Sequence, residues 1–357
     1  MTINPRMLIL AREARGLSQA ELTKTLITIS QATYSRIEKG IVEIQENQLN
    51  ELSKHLDFPV SFFNREGKIP GSYQEYFYRK RQTLPKKQQI KLEATFDLIR
   101  MFCEDLLESV DIPDFSLPEI EIEHTNTAEV IANKVRRYLG IERGPIANLI
   151  ELLERNGVMI FLLQNAPDKF DGTTVITKSG TRVIVLNENM PNYRKRFTIS
   201  HELCHILCHI PFTSENPFKT DADIEKEADT FASEFLMPSD QIRNELYRLT
   251  YAKLTDIKGY WKVSKSSIIY RAHKLGCIDM NRFIYLMTEL SRYNERKVEK
   301  NDVPMEDPQL LRLITDTFHK SLGFTDEEFM SALTINKDDF DFFILNKKRS
   351  TKMRIAV

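Results

Sequence analysis

Residues 198–238 leave little choice of local structure. They open with His201-Glu202-Leu203-Cys204-His205 and close with Glu225-Lys226-Glu227-Ala228-Asp229-Thr230-Phe231-Ala232 and Leu236-Met237-Pro238. Ile199, Leu203, Ile206, Leu207 and Ile210 recur at helical spacing, so the first segment reads as a helix with an apolar stripe behind its polar positions. Residues four apart share a helix face, and His201 and His205 then present two imidazoles to one point. Two imidazoles so placed can grip one metal ion. Glu202 falls beside the coordination position left open, where a general base takes a proton from water. A third protein ligand is needed, and a carboxylate on a following helix is its usual source. Glu225 meets that need, Glu227 stands close enough to compete, and Asp229, one turn after Glu225, is placed to hold a ligating imidazole from behind. An H-E-x-x-H run also arises by chance on amphipathic helices. Against chance stands the crowding of three of the seven histidines, His201, His205 and His209, into nine residues.

At 357 residues the chain exceeds one ordinary domain, and two or three are expected. Its net charge of -1 excludes a global field that draws in nucleic acid or an acidic membrane, so any DNA contact must come from a local surface. No apolar run approaches the ~20 residues of a membrane span, and the first six residues, Met1 to Arg6, lack a secretory pattern. Four cysteines without framework spacing suit a reducing interior. The expected location is the cytoplasm, with no membrane partner.

Residues 6–63 read as a run of short helices. Met7, Leu8, Leu10 and Ala11 begin one that stops at Gly16. Ser18 caps the next, with Glu21 three residues on completing a capping box. After Leu26-Ile27-Thr28-Ile29, Ser30 caps a helix that stops at Gly40. Two short helices joined by a tight turn, the second with small polar side chains near its start, suit insertion into a DNA major groove. Gln31 suits an adenine edge, Thr33 and Ser35 bases or phosphates, and Arg36 a phosphate or guanine. This segment resembles the lambda-repressor-type (Xre) helix-turn-helix, whose pattern of G-L-S-Q-x-E-L followed by I-S-Q and S-R-I-E-x-G is met nearly residue for residue. The resemblance implies operator DNA as a partner, with Gln19, Gln31, Ala32, Thr33, Ser35 and Arg36 as the contacting set. A symmetric operator would call for a homodimer. Where the family usually has a glycine in the turn, this chain has Leu26 to Ile29.

A connector follows over residues 66–118. It holds Tyr73, Tyr76, Phe77 and Tyr78, then a basic cluster of Arg79, Lys80, Arg81, Lys86 and Lys87 that reads as a solvated surface or a phosphate contact. From about Lys86 to Val110 a long helix is predicted behind Pro85, its apolar positions Ile90, Leu92, Phe96, Ile99, Phe102, Leu106 and Leu107 suited to the next domain or to a second copy. Pro113 and Pro118 mark a boundary. Helices are predicted over Thr127–Leu139 and Pro145–Asn156, a buried strand over Val158–Leu163, and a hairpin of Thr173–Ile176 with Arg182–Leu186 about Ser179-Gly180. Helices, a small sheet, the metal helix and the ligand helix in that order give an α+β fold, mostly α. The divisions are 1–65, 66–118, 119–250, 251–290 and 291–357. In the fourth, Val263 to Gly276 has a cap, an apolar-periodic helix and a glycine stop, a second helix-turn-helix-like hairpin expected to pack on the preceding domain. In the last, Phe318, Leu322, Phe324, Phe329, Phe340, Phe342 and Phe343 are expected to form a small helical core.

Residues 119–250 closely resemble the ImmA/IrrE metallopeptidases. The resemblance rests on Asp171-Gly172, on Val183 to Asn187, and on Arg194 to Thr198 leading into the H-E-x-x-H run. It continues through the trailing His209 and the E-x-x-A-D run from Glu225 to Leu236-Met237-Pro238. It implies a zincin-like domain with one Zn2+ per chain, His201, His205 and Glu225 as ligands, and endopeptidase activity, commonly against a partner repressor. Fusion to an Xre module is a known arrangement of the family. Cys204 stands where the family usually has glycine and Cys208 where it has an aliphatic residue; a thiolate there would bind metal or answer an oxidant, whereas packing is the commoner fate of cysteine. Tyr193, Arg194 and Arg196 lie near enough in sequence to be considered as oxyanion donors. Two functions follow. In one, the protein is a zinc endopeptidase that cleaves a regulatory protein, a repressor or antitoxin, at an operator controlling a stress, prophage or mobile-element operon. In the other, it is a DNA-binding regulator or antitoxin whose peptidase fold only senses or binds.

Overall fold

The computed structural model describes residues 3–66, 84–212, 219–296 and 298–345. Five short helices open the chain: α1 (Pro5–Ala14), α2 (Gln19–Thr23), α3 (Gln31–Glu38), α4 (Glu46–Leu56) and α5 (Val60–Phe63). Their starts are set by local side chains. Asn4 accepts from the Arg6 amide, Ser18 and Glu21 close a capping box, and Ser30 accepts from the Thr33 amide. α6 (Lys86–Leu107) is a single 22-residue helix that buries Leu92, Phe96, Ile99, Phe102 and Leu106. It packs within the chain, between α1 and the sheet, rather than waiting for a second copy. The aromatic stretch and Arg79, Lys80 and Arg81 lie outside the described residues.

α7 (Ala128–Tyr138) begins behind Thr127, whose side chain accepts from the Val130 amide. α8 (Leu149–Glu154) begins four residues later than predicted, because the Asn148 side chain accepts from the Glu151 amide at 3.1 Å and fixes the start there. β1 (Val158–Leu163), β2 (Gly172–Ile176) and β3 (Arg182–Asn187) form one sheet in the order β1-β3-β2. β1 runs parallel to β3, with Ile160 opposite Ile184, and β2 runs antiparallel to it, with Thr174 opposite Ile184.

The period-two alternation of these strands divides the molecule. Met159, Phe161, Leu163, Val183 and Val185 point into a core shared with α1–α6. Val158, Ile160, Leu162, Ile184 and Leu186 point into a second core beneath the metal-binding candidates. The second core is completed by α9 (Asn192–Cys204), α10 (Asp221–Leu236), α11 (Ser239–Leu246), α12 (Tyr251–Trp261), α13 (Lys265–Lys274) and α14 (Met280–Arg292). The 251–290 segment thus packs on the metal-site half, as its apolar pattern suggests. Arg271 of α13 forms a fully buried ion pair with Glu234 of α10.

The last helices, α15 (Leu310–Lys320), α16 (Asp326–Ala332) and α17 (Lys337–Phe343), depart from expectation. Phe318, Phe329, Phe340, Phe342 and Phe343 do not make a core of their own but join the first core, where Phe343 meets Phe102 and Phe161. Leu322 is exposed and Phe324 only half-buried, because both lie in the turn between α15 and α16. The closure is also polar. Arg15 of α1 holds both oxygens of Asp339 at 3.0 and 2.6 Å, and Arg65 holds both oxygens of Asp105 at 2.7 and 2.5 Å. Such bidentate pairs fix orientation as well as distance.

Candidate metal centre and DNA-binding surface

α9 follows β3 and starts at Pro191. A helix with one apolar stripe usually shows its polar face to water. Here every residue from Thr198 to Cys204 is buried, because α10 and β2 cover the polar face and wall the site. Gly172 permits the approach of β2. A Cβ there would stand 2.6 Å from the Thr198 methyl, so only hydrogen fits. From His205 to His209 the helix widens into a π turn, closed by the Ile210 amide on the His205 carbonyl at 2.9 Å. Such turns are frequent at functional sites, and no pattern in the sequence announces this one.

Donor atoms of three residues converge. Nε2 of His201 and of His205 lie 3.1 Å apart; Glu225 Oε2 is 3.4 Å from the first, and Glu225 Oε1 is 3.6 Å from the second. Tetrahedral zinc with ligand bonds of 2.0–2.1 Å separates its ligand atoms by about 3.4 Å. The ring–ring spacing and the two ring–carboxylate spacings, each made by a different Glu225 oxygen, lie near that edge length, and the N2O donor set suits that ion. Burial pushes the His205 imidazole well below its usual pKa, with Glu225 opposing, so the neutral ring, the form able to ligate a metal, is the stable one.

A carboxylate stands directly behind one ring, and the His209 imidazole behind the other. Asp229 Oδ1 lies 2.8 Å from Nδ1 of His201. Glu227 is not in the triad. It turns to Nε2 of His209 at 3.1 Å and to Lys219 at 3.0 Å. Burial alone would raise the Glu227 pKa, but its hydrogen bonds to His209 and Lys219 outweigh this and hold it below the usual range. Glu202 is buried, and Thr174 Oγ1 donates to its Oε2 at 2.9 Å. Thr174 escaped the sequence reading; only the register of β2 and its approach to α9 bring it there.

The three residues considered as oxyanion donors are engaged elsewhere. Arg194 grips both oxygens of Asp171 at 2.8 Å. Arg196 is buried against Glu306 and the Ile146 carbonyl, and the Tyr193 hydroxyl accepts from the Glu299 amide at 3.1 Å. They build the shell of the site instead. Cys204 and Cys208 are buried in the second core, and burial, then the neighbouring Cys208, raises the Cys204 thiol far above its usual pKa. A group so held is a poor thiolate.

In the N-terminal part, α3 buries Tyr34, Ile37 and Glu38 and leaves Gln31, Ala32 and Arg36 exposed, with Thr33 and Ser35 half-buried. Glu38 pairs with Arg12 of α1 at 2.7 Å and accepts from Gln19 at 2.5 Å, so Gln19 is tied to the helix that bears the exposed set. The turn without its usual glycine needs no left-handed residue: no positive φ occurs between Leu26 and Ile29. Glu51 stabilises it by accepting from the Ile27 and Thr28 amides at 2.5 and 3.1 Å.

Among the described residues no helix is long and apolar enough to cross a membrane. Comparison with curated proteins found no match. Comparison with protein families found two. Residues 8–63 match the helix-turn-helix family, and residues 153–273, which hold the sheet, α9 and α10, match the peptidase family described as the IrrE N-terminal-like domain. The chain thus joins an Xre-type, DNA-binding helix-turn-helix at its N-terminus to an IrrE/ImmA-like domain of metallopeptidase type.

Proposed function

We propose that the protein is a zinc-dependent endopeptidase that cleaves a regulatory protein, a repressor or antitoxin, and that its helix-turn-helix places it at the operator in the cytoplasm. The observation that carries this reading is the convergence of His201, His205 and Glu225, with spacings near those of zinc ligands, beside a buried carboxylate, Glu202. A module that only binds has no use for a general base. The reading assigns 1–65 to DNA, 119–250 to hydrolysis, 66–118 to the connection between them, and a homodimer to a symmetric operator.

Bound zinc supplies a Lewis acid that polarises the scissile carbonyl. The remaining chemistry belongs to the chain. Glu202 takes a proton from the attacking water and returns it to the leaving amine. The Thr174 hydroxyl occupies one oxygen of that carboxylate and leaves the other for the water. Asp229 holds the His201 ring in orientation. Burial of Glu202 and both imidazoles thins the surrounding water, which strengthens each of these interactions.

Elemental analysis of the purified chain tests the site: about one zinc per protomer is expected, and His205→Ala should lose it. A wild-type protein that takes up no zinc from added salt would remove the reading. The DNA role has its own measurement. On a site selected from random duplexes, Gln31→Ala with Arg36→Ala should weaken the mobility shift by about 1–3 kcal/mol per lost base contact. An unchanged shift would place DNA on another surface.

A further inference from the structure

Three side chains outside the proposed ligand set line up behind His205. Lys219 Nζ lies 3.0 and 3.1 Å from the two oxygens of Glu227. Oε2 of Glu227 lies 3.1 Å from Nε2 of His209, and Nδ1 of His209 lies 2.9 Å from Nδ1 of His205. The protons in this row can be assigned from donor chemistry together with burial. An ionised carboxylate only accepts, so the proton between Glu227 and His209 sits on Nε2 of His209. His209 is buried, which favours the neutral ring, and a neutral ring with its proton on Nε2 can only accept at Nδ1. The proton between the two rings therefore belongs to Nδ1 of His205. A neutral His205 with its proton there directs the lone pair of Nε2 toward Glu225 and His201 Nε2.

We propose that Glu227 is a positioning residue that sets, through His209, the tautomer in which His205 ligates zinc. The inference rests on the zinc site proposed above. It explains why the two ligand rings are served differently. His201, itself buried, takes an exposed carboxylate, Asp229, directly. Behind His205 stands the buried His209 ring, and a carboxylate in its place would bury a charge, so His209 carries the effect outward to Glu227, where Lys219 balances it. The π turn belongs to the same device, since it spans His205 to His209.

The test uses the full chain in two measurements. The first is zinc affinity by competition with a chromophoric chelator at neutral pH. The second is the histidine tautomers of the zinc-stripped, 15N-histidine-labelled protein, with signals assigned from His205→Ala and His209→Leu spectra. Glu227→Ala should weaken zinc binding about 10–100-fold and lower the share of His205 protonated on Nδ1. Glu227→Gln should restore most of both, because the amide oxygen accepts the same hydrogen bond. Glu227 is half-buried and alanine favours helix, so the variant should fold. His209→Leu breaks the row at a second joint and should weaken zinc binding similarly. Wild-type affinity in Glu227→Ala overturns the proposal. So does equal weakening in the alanine and glutamine variants with the His205 tautomer unchanged, since that is a structural effect only. If the wild-type chain binds no zinc, the zinc reading falls by itself, and the tautomers of the zinc-stripped protein still decide the relay.

Discussion

Glu202→Gln is expected to slow hydrolysis of the protein substrate by about 10²–10⁴-fold while zinc stays at one per chain. Glutamine keeps the shape of the side chain, and its carbonyl oxygen can still accept from Thr174, so the local packing is preserved. What is lost is the group that takes a proton. His201, His205 and Glu225 are untouched, and the metal content should not move. The assay is single-turnover cleavage of the protein encoded beside this gene, followed by gel and mass spectrometry, with zinc measured on the same sample. The result separates the two functions directly. If the variant cuts as fast as the wild type, or if de-repression in cells proceeds unchanged, Glu202 is no general base and the domain acts by binding.

The second large effect concerns the scaffold. Glu234→Gln should destabilise the protein by about 3–5 kcal/mol, a fall in Tm on the order of 10 °C. Glu234 is fully buried on α10, the helix that also carries Glu225, Glu227 and Asp229. Its carboxylate accepts from Arg271 of α13, from Asn133 of α7 at 2.9 Å, and from the Ser239 amide and hydroxyl at 3.0 Å each. Arg271 also donates to the Met237 carbonyl at 3.2 Å. Four helices, α7, α10, α11 and α13, thus meet at one carboxylate. Neutralising it leaves the Arg271 charge buried without its counter-ion, which is costlier than the pair itself is stabilising. Pairing it with Arg271→Met should recover part of the loss, because the buried charge goes as well. Urea unfolding with a chelator present measures the effect without the stabilisation that bound zinc adds. A loss below about 1 kcal/mol would mean that water reaches the pair and screens it.

The sequence was most informative where the physics is local. Ser18, Ser30 and Thr127 cap helices because a hydroxyl beside three open amides acts within one turn. His201 and His205 share a face because helical geometry sets four-residue neighbours. The apolar run Val183–Leu186, just after the turn residues Ser179-Gly180, foretold a strand for the same kind of reason. Even the late start of α8 was legible in principle, since Asn148 is a capping residue and the apolar spacing merely outvoted it.

By itself, then, the sequence determined the helices and strands, the two imidazoles with their neighbouring carboxylate, and the exposed face of α3. Only the tertiary structure decided which partners meet. It brought Glu225 to the imidazole pair and turned Glu227, two residues on, toward His209, because adjacent positions on α10 face different neighbours. It brought Thr174 to Glu202 across the close approach that Gly172 allows. It also placed the C-terminal phenylalanines against the first helices, where the opposite face of the sheet needed covering. Caps and periodicities act over a few residues, whereas these contacts join positions far apart in the chain. Their geometry depends on strand register and side-chain volume in a shared core, and neither is written in any one stretch of sequence.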